Sequence, residues 1–273
     1  MTAEPDRRPP EGDWLGTPFL RFERRGSLAV VTVDRPEARN ALTGAMYFGI
    51  RYAVQHVARE ADLAGLLITG IDDVFIPGGD LGAVNVDGWA DLPTLLGMDN
   101  VPFDAVRQSR KPVVSAVNGI CQGGGLMIAM LSDVAVASDR ATFRAPELFR
   151  GIADTNYGQI LPRQIGPARA RDMLLTGRTV TAGEALDWGL VSRVVPHDDL
   201  FAEAVLVLEQ ASRTAPGARL AVKKSIDDYY GHYDRIGMEE SLAGGEAVEG
   251  FLAFKERRSP DWVAEDLRLD GRL

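Results

Sequence analysis

Residues 19–25 alternate apolar and charged side chains, the pattern of a strand with one wet face. Gly26-Ser27 turns the chain into Leu28–Val33, an apolar run, and the pair predicts a hairpin. A polar loop follows to Asn40, and Thr43 stands at the N-cap position of a helix over Gly44–Arg59. Residues 63–69 predict a third strand, ending in a loop over 70–81. From 82 to 110 the pattern is broken by Gly88, Pro93, Gly97 and Pro102, which reads as a lid or substrate-shaping segment. Val113–Val117 is apolar and β-branched, as a buried strand should be, and 126–131 reads as the start of a buried helix. Short strands are predicted over 133–137 and 141–143, helices over 168–176 and Ala182–Trp188, and a last strand over 191–195.

Beyond Pro196 the pattern is helical only, over 200–211 and again from about Ala215. Strands alternating with helices, then helices alone, predict an α/β fold with a core over 19–197 and a helical region over 198–273. Residues 1–18 lack an apolar signal core, are rich in Pro, Arg, Glu and Gly, and read as a mobile tail.

Composition narrows the function classes. The net charge of −9 argues against general affinity for nucleic acid or an anionic membrane surface. No apolar run reaches membrane-spanning length. The single cysteine, Cys121, allows no internal disulfide and fits a reducing compartment, so the expected home is the cytoplasm. The three histidines are scattered without metal-ligand spacing, no metal site is expected, and no GxSxG elbow is present.

The candidate chemistry gathers at glycines. Gly123-Gly124-Gly125 lies between a predicted strand and a predicted helix, where backbone N–H groups are open to an anion or a developing negative charge. Leu126-Met127 after the last glycine excludes a phosphate loop, and GxGxxG spacing is missing. Plain close packing of helix on strand is the alternative. A second glycine loop, Pro77-Gly78-Gly79-Asp80-Leu81, also follows a strand. If the two loops face one pocket, one N–H from each can converge on a single oxygen, as in an oxyanion hole for a thioester enolate.

Six motifs in order resemble the crotonase (enoyl-CoA hydratase/isomerase) superfamily over about residues 19–262. They are Arg35-Pro36 with Asn40-Ala41-Leu42, Phe75 to Leu81, Pro112 to Gly119 with the three glycines, Leu174 to Arg178, Ala185 to Val191, and Ala253 to Pro260. The resemblance implies a spiral of ββα units followed by helices that pack in a trimer, often a dimer of trimers. It implies an acyl-coenzyme A thioester as ligand, with coenzyme A part of the substrate and no tightly bound cofactor. By motif position the oxyanion donors are the N–H groups of Gly79 and Gly124. Glu37, Ala38, Ala41, Gly78, Asp80, Leu81 and Gly123 fall along the ligand path, and Arg257 falls where the family often carries a lysine that approaches the nucleotide phosphates.

The hydratases of this family use two glutamates. The first position, two residues beyond the last glycine, is Met127 here, and a thioether neither takes nor gives a proton at neutral pH. The second, in a Pro-Glu pair, is present as Pro146-Glu147. One positioned carboxylate suffices to move a proton beside a thioester carbonyl, as the family's enoyl-CoA isomerases are thought to do, which makes Glu147 the candidate base. A surface or capping carboxylate is its alternative reading. The following loop lacks the family's usual proline, and Asp154 reads either as a second acid/base or as the N-cap of a helix from Thr155. The expected activity is enoyl-CoA isomerisation. Hydration with a replaced second acid/base, or a catalytically weak acyl-CoA-binding homologue, are the alternatives.

Overall fold

The computed structural model describes residues 14–80, 102–230 and 240–263, with 265 and 268. Leu81 and most of the expected lid lie outside the described residues, as do residues 1–13. The chain forms two compact units, one of residues 1–143 and 181–227, the other of 144–180 and 228–273.

The first unit is built on a six-stranded sheet. Its strands are β1 (Leu20–Arg25), β2 (Leu28–Val33), β3 (Gly65–Gly70), β5 (Val113–Val117), β7 (Val134–Ser138) and β10 (Arg193–Val195), side by side in that order. β1 pairs antiparallel with β2, as the alternating pattern and the Gly26 turn predict, and every other pairing is parallel. β3 and β5 are buried along almost their whole length, which explains why they read as apolar runs without alternation. The helix Gly44–Arg59 starts where its cap predicts, the Thr43 hydroxyl accepting from the Met46 N–H at 3.3 Å.

A second sheet has the order β4-β6-β8-β9, from β4 (Val74–Ile76), β6 (Ile120–Gln122), β8 (Thr142–Arg144) and β9 (Val180–Thr181). β6 is a strand where the sequence pattern predicts only a turn. Three residues wedged between Asn118-Gly119 and three glycines leave no periodicity to read.

The break expected at 197 does not coincide with a division between the units. The helix Leu200–Ser212 packs Leu200, Ala204, Val207 and Leu208 against Leu67, Val114, Ala116 and Val136, so it completes the sheet's core. Burial of each such Leu or Val contributes roughly 1.5–3 kcal/mol. The expected tail also ends earlier than Pro18. Leu15 and Thr17 are buried, and the Trp14 ring meets Phe22 edge-on at 5.1 Å.

The second unit contains the short turn Glu147–Arg150, the helices Thr155–Ile165 and Pro167–Thr176, and the helix Gly245–Glu256. That last helix lies directly on the turn. A Cβ on Gly250 would stand 2.2 Å from the Arg150 carbonyl oxygen, and one on Gly151 would stand 2.4 Å from that of Glu246. Only glycine permits this approach of backbone to backbone.

Candidate active site

The two glycine loops meet because β4 and β6 are parallel neighbours. Val74 pairs with Ile120 and Ile76 with Cys121, and each strand runs on into its glycines at the same end. A Cβ on Gly78 would lie 3.8 Å from the Gly123 Cα. Polar side chains fix the β3–β4 connection that delivers the first loop. Asn118 accepts from the Gly70 N–H and donates to the Asp72 and Val74 carbonyls, and Asn40 donates to the Val74 carbonyl at 2.8 Å. Gly119 closes the arrangement, since a Cβ there would fall 1.7 Å from the Asp73 carbonyl oxygen.

Leu42 forms a parallel bridge to Gly79. Its N–H donates to the Gly78 carbonyl at 2.9 Å, and its carbonyl accepts from the Asp80 N–H at 2.8 Å. This pairing uses the groups on either side of the Gly79 N–H and leaves that N–H outside the bridge. Gly124 is the first residue of the helix Gly124–Leu131, and Gly123 before it supplies no capping side chain. The Gly124 N–H is therefore one of the helix's terminal donors.

Between these glycines stands Tyr47, which sequence reasoning missed. A Cβ on Gly79 would lie 3.4 Å from the Tyr47 hydroxyl oxygen, and one on Gly124 only 2.3 Å from it. Tyr47 is 8% exposed and meets the Phe103 ring edge-on at 6.0 Å. Its place depends on how the helix Gly44–Arg59 packs, which no local pattern records.

Arg35 anchors the neighbouring loop. Its Nη1 donates to the Ala41 carbonyl at 2.8 Å and to Asp80 Oδ2 at 2.7 Å. Asp80 is thus held in an ion pair with a buried guanidinium, while Glu37 is exposed beside it. Pro36–Ala38 forms a single 3-10 turn, which presents Glu37 and Ala38 ahead of Ala41. Met127 is buried at 1% exposure, in a helix whose residues from Gly125 to Ala129 are all buried. Cys121 is fully buried, which pushes its thiol well up and leaves it a packing residue.

In the second unit Glu147 opens the turn after Pro146. Its Oε2 is buried without a hydrogen-bond partner. Burial, with the negative charge of Asp154 adding to it, pushes the carboxyl up to about 8, against the pull of its own N–H, Arg150 and Arg144. Asp154 caps the helix Thr155–Ile165, its Oδ1 accepting from the Asn156 N–H at 3.0 Å. Burial raises its carboxyl too, while the bonds to the helix N-terminus hold it down. Asp154 is thus both a cap and a charge felt by Glu147. Arg257 ends the helix Gly245–Glu256 in the left-handed conformation, with φ 56°.

Among the described residues no group of three His, Cys, Asp or Glu side chains forms a metal site, and no helix is long and apolar enough to cross a membrane.

The sequence profile of the enoyl-CoA hydratase/isomerase family matches residues 23–265. The "Probable enoyl-CoA hydratase" of Mycobacterium bovis is 34% identical over 252 residues, covering 89% of this chain and 97% of that one. The carnitinyl-CoA dehydratase of Salmonella arizonae is 34% identical over 267 residues, covering 89% and 97%. The solved structure of an enoyl-CoA hydratase/isomerase from Pseudoalteromonas atlantica superposes with a TM-score of 0.76 at 28% identity, covering 90% of this chain and all of that one. Motifs, fold and profile agree: the chain is an acyl-CoA enzyme and belongs to the enoyl-CoA hydratase/isomerase family, the crotonase superfamily.

Proposed function

We propose that the protein isomerises an enoyl-CoA, with Glu147 as the single proton carrier and the Gly79 and Gly124 N–H groups as the oxyanion hole. The observation that carries this reading is the buried, partnerless Oε2 of Glu147, together with a buried thioether at Met127. The ionised carboxylate removes a proton from C2 of a 3-enoyl thioester. The C–H electron pair moves into the carbonyl, and the resulting dienolate oxygen is held by the two N–H groups. The same carboxyl returns its proton at C4, which places the double bond between C2 and C3 and regenerates the base. Each N–H contributes about 3–4 kcal/mol to such a transition state. The scheme requires no bound cofactor beyond the coenzyme A of the substrate.

Gly78, Gly123 and Met127 would border the thioester. Glu37, Ala38, Ala41, Asp80 and Leu81 would line the coenzyme A path, and Arg257 would approach its phosphates. A homotrimer or dimer of trimers is supported by Val222, Ile226 and Tyr229, exposed at helical spacing on the helix Pro216–Tyr230. A cytoplasmic location suits the one buried thiol.

Hydration is the second reading, favoured by Asp154 lying close enough to raise the Glu147 carboxyl. Parallel assays decide. Isomerisation predicts turnover of a 3-enoyl-CoA with little hydration of crotonyl-CoA. Fast crotonyl-CoA hydration that is lost in Asp154→Asn would overturn it in favour of the carboxylate pair.

A further inference from the structure

The Tyr47 ring stands with one edge to each glycine loop. Measured from the Cβ that each glycine lacks, Cε2 lies 3.8 Å from the Gly79 position and Cε1 lies 3.0 Å from the Gly124 position. The hydroxyl oxygen is the nearest atom to both, at 3.4 and 2.3 Å. At the shorter distance no methyl fits, so the phenol lies against the Gly124 backbone itself. The same helix start is held from another side. A Cβ on Gly125 would fall 2.2 Å from the Ile76 carbonyl oxygen, so the first turn of the helix Gly124–Leu131 touches β4 through Gly125 and the phenol through Gly124.

The Gly79 loop is gripped by the segment that carries Tyr47. Leu42 pairs with that loop through both of its backbone groups, at 2.9 and 2.8 Å. The Thr43 cap and the bond from the Tyr47 N–H to the Thr43 carbonyl at 3.1 Å then start the helix, so Leu42 and Tyr47 belong to one rigid piece. The short helix Pro102–Arg107 backs that piece. It packs on both the helix of Tyr47 and the helix of Gly124, and its Phe103 ring meets Tyr47 edge-on at 6.0 Å.

Two donors that serve one oxygen must keep a fixed separation, and an error of about 1 Å in such geometry costs about 10²-fold in rate. The pairing of β4 with β6 ends at Ile76 and Cys121, before either glycine donor is reached. We infer that Tyr47 is a positioning residue: its phenol is the spacer that sets the distance between the Gly79 and Gly124 N–H groups. The inference rests on the assignment of those two groups to the oxyanion hole.

The test reads the hole without turnover, and so stands apart from the role of Glu147. Infrared difference spectra are taken of butanoyl-CoA, isotopically labelled at the carbonyl, bound to the full-length protein. The wild type is expected to lower the carbonyl stretching frequency relative to the thioester in water. Tyr47→Leu, too short to span the two loops, is expected to lose most of that shift. With a 3-enoyl-CoA it is expected to lower kcat about 10²-fold while KM stays within about twofold. Tyr47→Phe keeps both ring edges, and is expected to retain the shift and to lower kcat by no more than about fivefold. A full shift in Tyr47→Leu would overturn the inference and leave the oxyanion hole standing, whereas no shift in the wild type would overturn both. A loss in Tyr47→Phe as large as in Tyr47→Leu would overturn it by making the hydroxyl a donor. A raised KM at unchanged kcat would overturn it by making Tyr47 a binding contact. If urea unfolding shows that Tyr47→Leu does not fold, Gly124→Ala supplies the second route. Gly124→Ala is expected to weaken the shift, and Tyr47→Phe added to it removes the oxygen at 2.3 Å and is expected to recover part of the loss. A shift that neither step changes, or a loss that Tyr47→Phe does not relieve, would overturn the inference.

Discussion

At Gly79 and Gly124 the proposed working groups are backbone N–H donors, and their placement follows from strand pairing, two asparagines and close contacts that leave little room for a Cβ. At Glu147 the proposed working group is one side-chain oxygen, buried and without a partner, at the head of a single short turn. The glycine wall is fixed by strand pairing and asparagine hydrogen bonds within the protein. The glutamate turn carries a carboxyl raised to about 8, a second carboxyl at Asp154, and a helix docked on it through Gly250 and Gly151, the features on which the proposed reaction depends. A backbone donor survives almost any side-chain change nearby, whereas a carboxyl's proton affinity depends on every charge and every buried surface around it.

Removing the base separates the halves most strongly. Glu147→Gln is expected to lower kcat for a 3-enoyl-CoA by roughly 10²–10⁴-fold, with coenzyme A affinity unchanged. Next comes damage to the wall. Gly124→Ala drives a methyl to 2.3 Å from the Tyr47 hydroxyl. It is expected to cost about 10²-fold in kcat if the donor is displaced, and about 1–3 kcal/mol in stability by overpacking. Gly183→Ala, where a Cβ meets nothing within 4 Å, is the control and is expected to leave both unchanged.

A subtler intervention sharpens the comparison through pH. Since Glu147 must be ionised to act as base, kcat/KM is expected to rise with pH and level off above about 8. Asp154→Asn keeps a competent helix cap but deletes the negative charge, so the midpoint should move down while stability changes little. The smallest effect lies in stability. Between the ordinary 4.5 and about 8 the folded protein retains a proton at Glu147 that the unfolded chain has released. The stabilisation this gives is complete below the lower value and is lost as pH rises through the higher one. Urea unfolding of Glu147→Gln is expected to show a shallower decline over that window.

The glycine wall was the more legible half. Thr43, the helix Gly44–Arg59 and the buried runs of β2 and β5 are local signals, and each is found where the pattern predicts it. The glycine runs marked both loops, but β6, the strand that joins them, is too short to show a period. Tyr47 reaches the glycines only through packing of its helix. At 197 the change from mixed elements to helices records element type and not partnership, and Leu200–Ser212 packs on the sheet it follows. The environment of Glu147 was least legible. The helix that covers its turn comes from residues 245–256, about a hundred positions away.

The central claim is that Glu147 moves the proton while the glycine amides hold the charge. Its most direct measurement is deuterium uptake from heavy water into a bound acyl-CoA at the carbon beside the thioester, followed by NMR in wild type and Glu147→Gln. Exchange in the wild type that disappears in Glu147→Gln, with the thioester still bound, is the expected result. Exchange at an undiminished rate in Glu147→Gln would contradict the account.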